Sequence, residues 1–272
     1  MVRARRAAGI VKRLYAGGTR QIMSRRRFYA SPDDITGSAV TLSPDETHHL
    51  IRVLRMTPGD EAFVFDGCGR EYGCVFRAVQ KDRAHLDVQH ELDGSVESPR
   101  RITLAQGLAK GEKFDFIVQK ATELGVASIA PLITRYSEVR FAEQPGAKRL
   151  ERWRRISLEA LKQCGRRKLV EIEAPRTLSE CLAAESLSSD RRLLVFNERG
   201  GMPVAQALAG ISRSSAVVAI IGPEGGWSDP ELELLTQSGS TSVTLGQRVL
   251  RTETAAIVAL TLIQHLAGDL SV

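Results

Sequence analysis

Two glycine-rich segments of the 272-residue chain have the composition to hold a small molecule through backbone amides. The first, Ile221-Gly222-Pro223-Glu224-Gly225-Gly226-Trp227, follows a continuous apolar run at 216–221 and leads into Ser228-Asp229-Pro230, a helix start. Glycine lets backbone N–H groups approach a ligand closely, and ligands of open α/β sheets bind beyond the carboxyl ends of strands. A tight strand-to-helix turn would use the same residues. The segment is not a dinucleotide fingerprint, because G-x-G-x-x-G is absent, and not a P-loop, because no Gly-Lys-Ser/Thr follows. The second segment, Leu245-Gly246-Gln247-Arg248-Val249-Leu250-Arg251-Thr252-Glu253, again joins a strand to a helix. Its two arginines and Glu253 fall at the helix start, where backbone donors are free. Two such loops at neighbouring strand ends imply a pocket.

For the loops to meet, the second half of the chain must alternate strands and helices. An unbroken apolar strand such as 216–221 is expected where both faces are buried. The pattern predicts strands at 101–108, 128–133, 169–173, 192–197, 216–221 and 242–245. It predicts helices at 112–124, 146–163 and 178–187, near Val204, from Asp229, and at 252–266. That alternation means a mostly parallel sheet covered by helices. The first half reads differently. Short strands at 61–65, 71–79 and 84–90, with a turn at Asp66-Gly67-Cys68-Gly69, suggest a small β-barrel. Along 71–79, Tyr72, Cys74, Phe76 and Ala78 share one face. One helix interrupts the strands: Ser43 caps it, Pro44 takes the first position, and it runs through His48, His49 and Arg52 to Arg55. Residues 92–100, with Gly94, Ser95, Ser98 and Pro99, read as a linker.

Hydrophobic residues are 43% and charged residues 26%, a globular composition that is neither disordered nor membrane-like. No apolar run reaches the roughly 18 residues of a membrane span. Four cysteines exclude a disulfide scaffold and suit a reducing compartment. The net charge of +6 is carried entirely by residues 1–24, where Arg3, Arg5, Arg6, Lys12, Arg13 and Arg20 meet no Asp or Glu. The remainder sums to zero, so nucleic-acid binding must use local clusters. Arg25, Arg26, Arg27, Arg52 and Arg55, with His49 nearby, form such a cluster; a solvated face is the alternative, and for His49 a packing role. The leader is expected to be disordered and dispensable. Met23 offers a later start, and organelle targeting is the alternative. Cys68, Cys74, His85 and His90 mimic the order of a zinc finger, but C-x5-C is outside the usual spacing. His85 and His90, five apart on one strand, point to opposite faces, so no metal is expected. Trp153, among Arg152, Arg154 and Arg155, either packs its helix or stacks on a base.

Six motifs in order carry a resemblance. They are R-R-F-Y at 26–29, H-x-L-x-x-V-L-R at 48–55, Lys113 followed by Gln119-Lys120 and Glu123-Leu124-Gly125-Val126, Q-x-G-R at 163–166, I-G-P-E-G-G-W at 221–227, and L-G-x-R-V-L-R-x-E-T-A at 245–255. From about Arg25 to its end the chain resembles the RsmE family, ribosomal RNA uridine-N3 methyltransferases of the SPOUT class. The resemblance implies an α/β fold: a PUA-like β-barrel that binds RNA at 25–97, then a trefoil-knotted α/β methyltransferase domain at 98–272. Nothing in the periodicity points to a knot. It further implies S-adenosyl-L-methionine as cofactor, a homodimer, small-subunit ribosomal RNA as partner, and a cytoplasmic location. Carried over residue by residue, the cofactor loops are Gly222, Pro223, Glu224, Gly225 and Gly226, then Leu245, Gly246, Arg248, Val249 and Leu250. Phe196, Asn197 and Glu198 form a third wall. Cys164 departs from the small residue expected there.

Methyl transfer to uracil N3 requires the ring proton to leave and the resulting anion to be stabilised. The site needs a base or water relay and a cation near O2 or O4. Arg251, Arg166 and Glu123 are the candidates. Arginine is too basic to act as a base, so it would stabilise charge. Glu123 would be a base or an ion-pair partner of Lys120 or Lys113. Gln163 and Arg166, read as lying past a helix end, can hydrogen-bond a uracil edge; Lys113 and Gln163 are counted with the RNA contacts. Two rival functions are a non-catalytic RNA-binding or ribosome-assembly factor and a ribose 2′-O-methyltransferase. The glycine loops and Arg251 argue against the first, and the Q-x-G-R motif and barrel, through resemblance, against the second.

Overall fold

The computed structural model describes residues 26–137, 146–185 and 190–270; Arg25 and the leader lie outside them. The chain divides into two compact units. One holds residues up to 65, 71–92 and 163–165; the other holds 66–70, 93–162 and 166 onward.

In the first unit, β1 (Arg27–Tyr29), β2 (Ile35–Thr36), β3 (Ala39–Thr41), β4 (Glu61–Phe65), β5 (Glu71–Gln80) and β6 (Arg83–Glu91) form one sheet in the order β1-β4-β5-β6-β3-β2. β1 runs parallel to β4, and the other pairs are antiparallel. The expected barrel takes the form of a curled half-barrel with β1 and β2 at its edges. Phe28, Val40, Leu42, Leu50, Val64, Phe76 and Leu86 fill its core. The alternation along β5 is broken by register shifts at Gly73/Cys74 and Phe76/Ala78, so Glu71 and Cys74 are both buried.

The helix read at 43–55 is two pieces. α1 (Pro44–His48) starts as the sequence implies, with Ser43 Oγ accepting from Glu46 N at 3.2 Å. A π-helical turn, His49–Val53, then widens the backbone, with Leu54 N bonding His49 O, and Arg55 takes φ +50°. Leu50 is thereby fully buried while Val53 is 60% exposed. An (i, i+5) turn leaves no trace in a 3.6-residue pattern.

In the second unit all sheet pairs are parallel. The strands are β7 (Ile102–Gly107), β8 (Ser128–Ile133), β9 (Glu171–Ile172), β10 (Arg176–Thr177), β11 (Arg191–Phe196), β12 (Met202–Pro203), β13 (Ala216–Ile221) and β14 (Thr241–Thr244). Their order is β10-β8-β7-β13-β11-β14-β12, with β9 also on β8. The helices are α2 (Lys113–Glu123), α3 (Gly146–Cys164), α4 (Leu178–Glu185), α5 (Val204–Ala207), α6 (Asp229–Gln237) and α7 (Thr252–Ala267). β7 and β13 are the buried centre, which is why Val217 to Ile221 are all buried. The two-residue strands β10 and β12 were not readable from the pattern, because two residues carry no alternation.

Residues 93–100 belong to the second unit and are anchored, not loose. The Glu97 carboxylate accepts from Arg166 Nε and Nη2 and from the backbone N–H groups of Arg167 and Lys168. Buried Arg100 donates to the carbonyls of Ala267, Ser212 and Ser215. Among the described residues no helix is long and apolar enough to cross a membrane.

Candidate active site

Strands β13 and β14 are not neighbours; β11 lies between them. Their C-terminal loops still converge, because the end of β11 supplies the wall between. The result is a cavity of about 630 Å³ lined by Phe196-Asn197-Glu198, by Ile221 to Trp227, and by Thr244 to Gly246 and Arg248 to Thr252 with Ala255. That volume is within the roughly 300–1,000 Å³ usual for small-molecule sites. All thirteen residues assigned to the cofactor from the motifs line it, as does Arg251.

Two glycines shape the cradle. A Cβ on Gly226, which has φ +70°, would sit 2.9 Å from Glu198 Oε1, and one on Gly225 would sit 2.6 Å from Tyr136 Cβ. A side chain at Gly225 would drive into Tyr136, and one at Gly226 would be strained by its positive φ and would displace the Glu198 carboxylate. Below the loop, Trp227 is buried and its Nε1 donates to Phe196 O at 3.4 Å. Buried Gln106 at the end of β7 ties the strand ends together. Its Nε2 lies 3.0 Å from Thr252 Oγ1 and 3.3 Å from Gly222 O, and Thr252 Oγ1 donates to Gly222 O at 2.7 Å. Among the described residues Gln106 Oε1 has no hydrogen-bond partner. Neither Gln106 nor Thr252 was singled out from the sequence. The available signal was a long polar side chain inside the apolar run 102–107.

The charges in the cavity are of both signs. Glu224 accepts from Lys113 Nζ at 3.0 Å and from Lys110 N at 3.1 Å. Burial pushes its carboxyl up, but the Lys113 hydrogen bond and charge with the two backbone donors outweigh this and hold it below the usual range. Lys113, counted with RNA contacts from the motif, therefore faces the cavity and orients Glu224. Arg248 and Arg251 are exposed, and among the described residues neither guanidinium has an ion pair. Arg251 occupies the N-cap position of α7.

Other candidates lie elsewhere. Glu123 pairs with Lys120 at 2.9 Å on the same helix and does not line the cavity. Arg166 is 6% exposed, held by Glu97 and by Thr122 O at 2.8 Å, and does not line it either. Gln163 is exposed within the last turn of α3, not past its end. In the first unit, Arg26 pairs with Asp60 at 3.2 Å, and Arg52 and Arg55 are exposed. Arg27 corrects the surface cluster. It is 5% exposed, bound to Glu71 at 2.6 Å and stacked 4.8 Å over Phe65, so it is part of the core. His49 packs edge-on against Phe28, and Trp153 is buried against Phe114. Among the described residues no three His, Cys, Asp or Glu side chains gather as metal ligands.

The cavity offers backbone N–H groups, two carboxylates and two unpaired cations, a donor set suited to a polar ligand with a heteroaromatic ring, hydroxyls and charge. Comparison with known proteins agrees. The family described as RNA methyltransferase domain matches residues 96–264, and that described as RNA methyltransferase PUA domain matches 42–89. The chain is 35% identical over 242 residues to ribosomal RNA small subunit methyltransferase E of Synechocystis sp., covering 88% of this chain and 77% of the relative. It is 31% identical over 237 residues to the protein of that name from Bacillus subtilis, covering 84% and 92%. Among solved structures, ribosomal RNA small subunit methyltransferase E from Neisseria gonorrhoeae, bound to S-adenosyl methionine, superposes with a TM-score of 0.83 at 34% identity, over 91% of this chain and all of that one. A Legionella pneumophila protein in complex with the same cofactor gives the same TM-score and identity. The fold is accordingly the SPOUT-type α/β methyltransferase with a PUA domain before it. On its sequence, its fold and the relatives it matches, the chain belongs to the ribosomal RNA small subunit methyltransferase E family.

Proposed function

We propose that this chain is an S-adenosylmethionine-dependent methyltransferase of small-subunit ribosomal RNA that methylates N3 of a uridine, working as a cytoplasmic homodimer. The observation that carries the reading is the cavity at three strand ends with an unpaired arginine, Arg251, on its lining. A binding module would have no use for that arrangement.

S-adenosylmethionine, when bound, supplies an electrophilic methyl group on a sulfonium cation. The chain's own residues do the rest. The loops at 222–226 and 245–250 hold the ligand through backbone amides, and the absence of a side chain at Gly226 leaves room for the Glu198 carboxylate beside the loop. Glu198 accepts hydrogen bonds from ligand hydroxyls. Lys113 fixes Glu224 as a carboxylate, so the cavity keeps negative charge where a cationic ligand enters. Arg251, exposed and unpaired, donates to O2 or O4 of the uracil and stabilises the anion formed when N3 gives its proton to solvent water. Glu123 and Arg166, committed to Lys120 and Glu97, hold the fold and take no part in the chemistry. Arg26, Arg52 and Arg55 contact RNA from the PUA unit.

The test is mass mapping of small-subunit ribosomal RNA from cells with and without the gene, followed by restoration in vitro with purified protein, cofactor and small-subunit particles. A methyl group should be missing from one uridine base in the deficient cells and return at N3. A methyl group returning on a ribose would reject the N3 assignment.

A further inference from the structure

We propose that the outward face of α3 is a phosphate-binding track for the substrate RNA, a second RNA contact on the methyltransferase unit itself. The proposal rests on the reading of the chain as a ribosomal RNA methyltransferase. α3 (Gly146–Cys164) carries six cations, Lys148, Arg149, Arg152, Arg154, Arg155 and Lys162, against two acids, Glu151 and Glu159. In a chain whose net charge outside the leader is zero, that concentration is local. At 100° per residue, Lys148, Arg152 and Arg155 fall on one stripe. They lie opposite the buried face of Trp153, Ser157, Ala160 and Leu161. The stripe runs about 10 Å along the axis.

Packing and pairing do not account for two of these side chains. Lys148 and Arg155 are exposed, and among the described residues neither has an ion pair or hydrogen bond. Arg152, half-exposed, pairs with Asp115. A second, independent feature lies at the same place. Lys148, Arg149 and Arg152 line a cavity of about 420 Å³ together with Gly111, Glu112, Asp115, Phe114 and Trp153. The next residue, Lys113, lines the cofactor cavity. One short segment therefore separates the two cavities. A strand whose phosphates follow the stripe would reach the cofactor cavity by way of that segment. Phosphate is the group such a stripe selects: a row of lysine and arginine on a rigid helix, without aromatic rings exposed between them, reads backbone charge and not base identity.

The salt dependence of binding tests this. Affinity for small-subunit particles and for naked small-subunit RNA is measured against salt concentration, with cofactor affinity measured by calorimetry on the same preparations. K148A with R155A removes two cations that hold nothing in the fold. The double variant should bind RNA roughly 10-fold more weakly at physiological salt, with the slope of log K against log salt reduced by about 1.5, the value for two lost phosphate contacts. Cofactor affinity should not change. The pair R155K and K148R should restore affinity, because either cation serves a phosphate. Unchanged affinity and slope in the alanine variant would overturn the proposal. So would a loss seen with particles but not with naked RNA, which would assign the face to an acidic ribosomal protein. Failure of the functional reading is separately visible as absence of methyl transfer by the wild type, while the binding slopes still decide the role of α3.

Discussion

A guanidinium with no carboxylate beside it is available to a ligand, and one buried in a two-bond ion pair is not. Arg251 is of the first kind and Arg166 of the second. Replacing Arg251 with Ala should therefore lower kcat by about 10²-fold or more, the usual loss of a charge partner in the transition state, with cofactor affinity kept. Steady-state kinetics with calorimetry check this; a change confined to KM would make Arg251 a binding residue. The motif that names both arginines could not separate them, since a sequence shows a side chain's type and not its partners. The same limit hid Arg27. Three consecutive arginines read as a surface cluster, yet the strand period turns the last one, with Phe65 and Glu71, inward. The loop residues were legible because two glycine-bearing loops each follow a strand and precede a helix, and both belong to the motifs that carry the resemblance.

At the scale of elements, the cradle depends on backbone passing close to other groups. Gly226→Val would need a β-branched residue at φ +70° with its Cβ 2.9 Å from Glu198 Oε1, and Gly225→Val would drive into Tyr136. Each variant should fold, because the loop lies outside the core, and should lose S-adenosylmethionine binding by calorimetry; retained binding would move the site elsewhere. The segment read as a linker makes a different prediction. Burial raises the Glu97 carboxyl, but Arg166 and the backbone donors of Arg167 and Lys168 outweigh it, so its pKa lies below the ordinary 4.5. A depressed carboxylate contributes stability above its unfolded pKa, and that contribution is lost as the pH falls through the lower folded value. Glu97→Gln should therefore destabilise the protein by about 3 kcal/mol at pH 7, as removal of one partner of a buried pair does. The difference from wild type should shrink below about pH 4, which denaturant titrations at both pH values would show. Gly94, Ser95, Ser98 and Pro99 look loose because composition reports chain flexibility and not the long-range pairs, such as Glu97 with Arg166, that override it. The strand–helix alternation of the second unit was legible for the opposite reason. Its strands are apolar on both faces and long enough to carry a pattern, which the two-residue strands β10 and β12 are not.

For the whole molecule, the question is what covers α7. The helix is apolar nearly all round. Ala256, Ala259, Leu260 and Ile263 are buried in the core of their unit, whereas Ile257, Val258 and Leu262 are only partly covered and Leu266 is 44% exposed. Val249, on the loop that leads into the helix, is 79% exposed. A helix with two apolar faces needs cover on both, and a twofold partner would provide the second with the same surface. The expected state is a homodimer burying on the order of 1,200–2,000 Å² in all, a standard specific interface. Light scattering at micromolar concentration should give twice the 29.8 kDa chain mass. Val258→Glu with Leu262→Glu should shift the protein to monomer, because two charges would then face each other across the axis in an apolar setting. Since Val249 belongs both to the cofactor cavity and to the exposed apolar surface, the monomeric variant should also bind S-adenosylmethionine more weakly. A wild type that is monomeric at this concentration would reject the dimer and leave Val249 to the ligand alone.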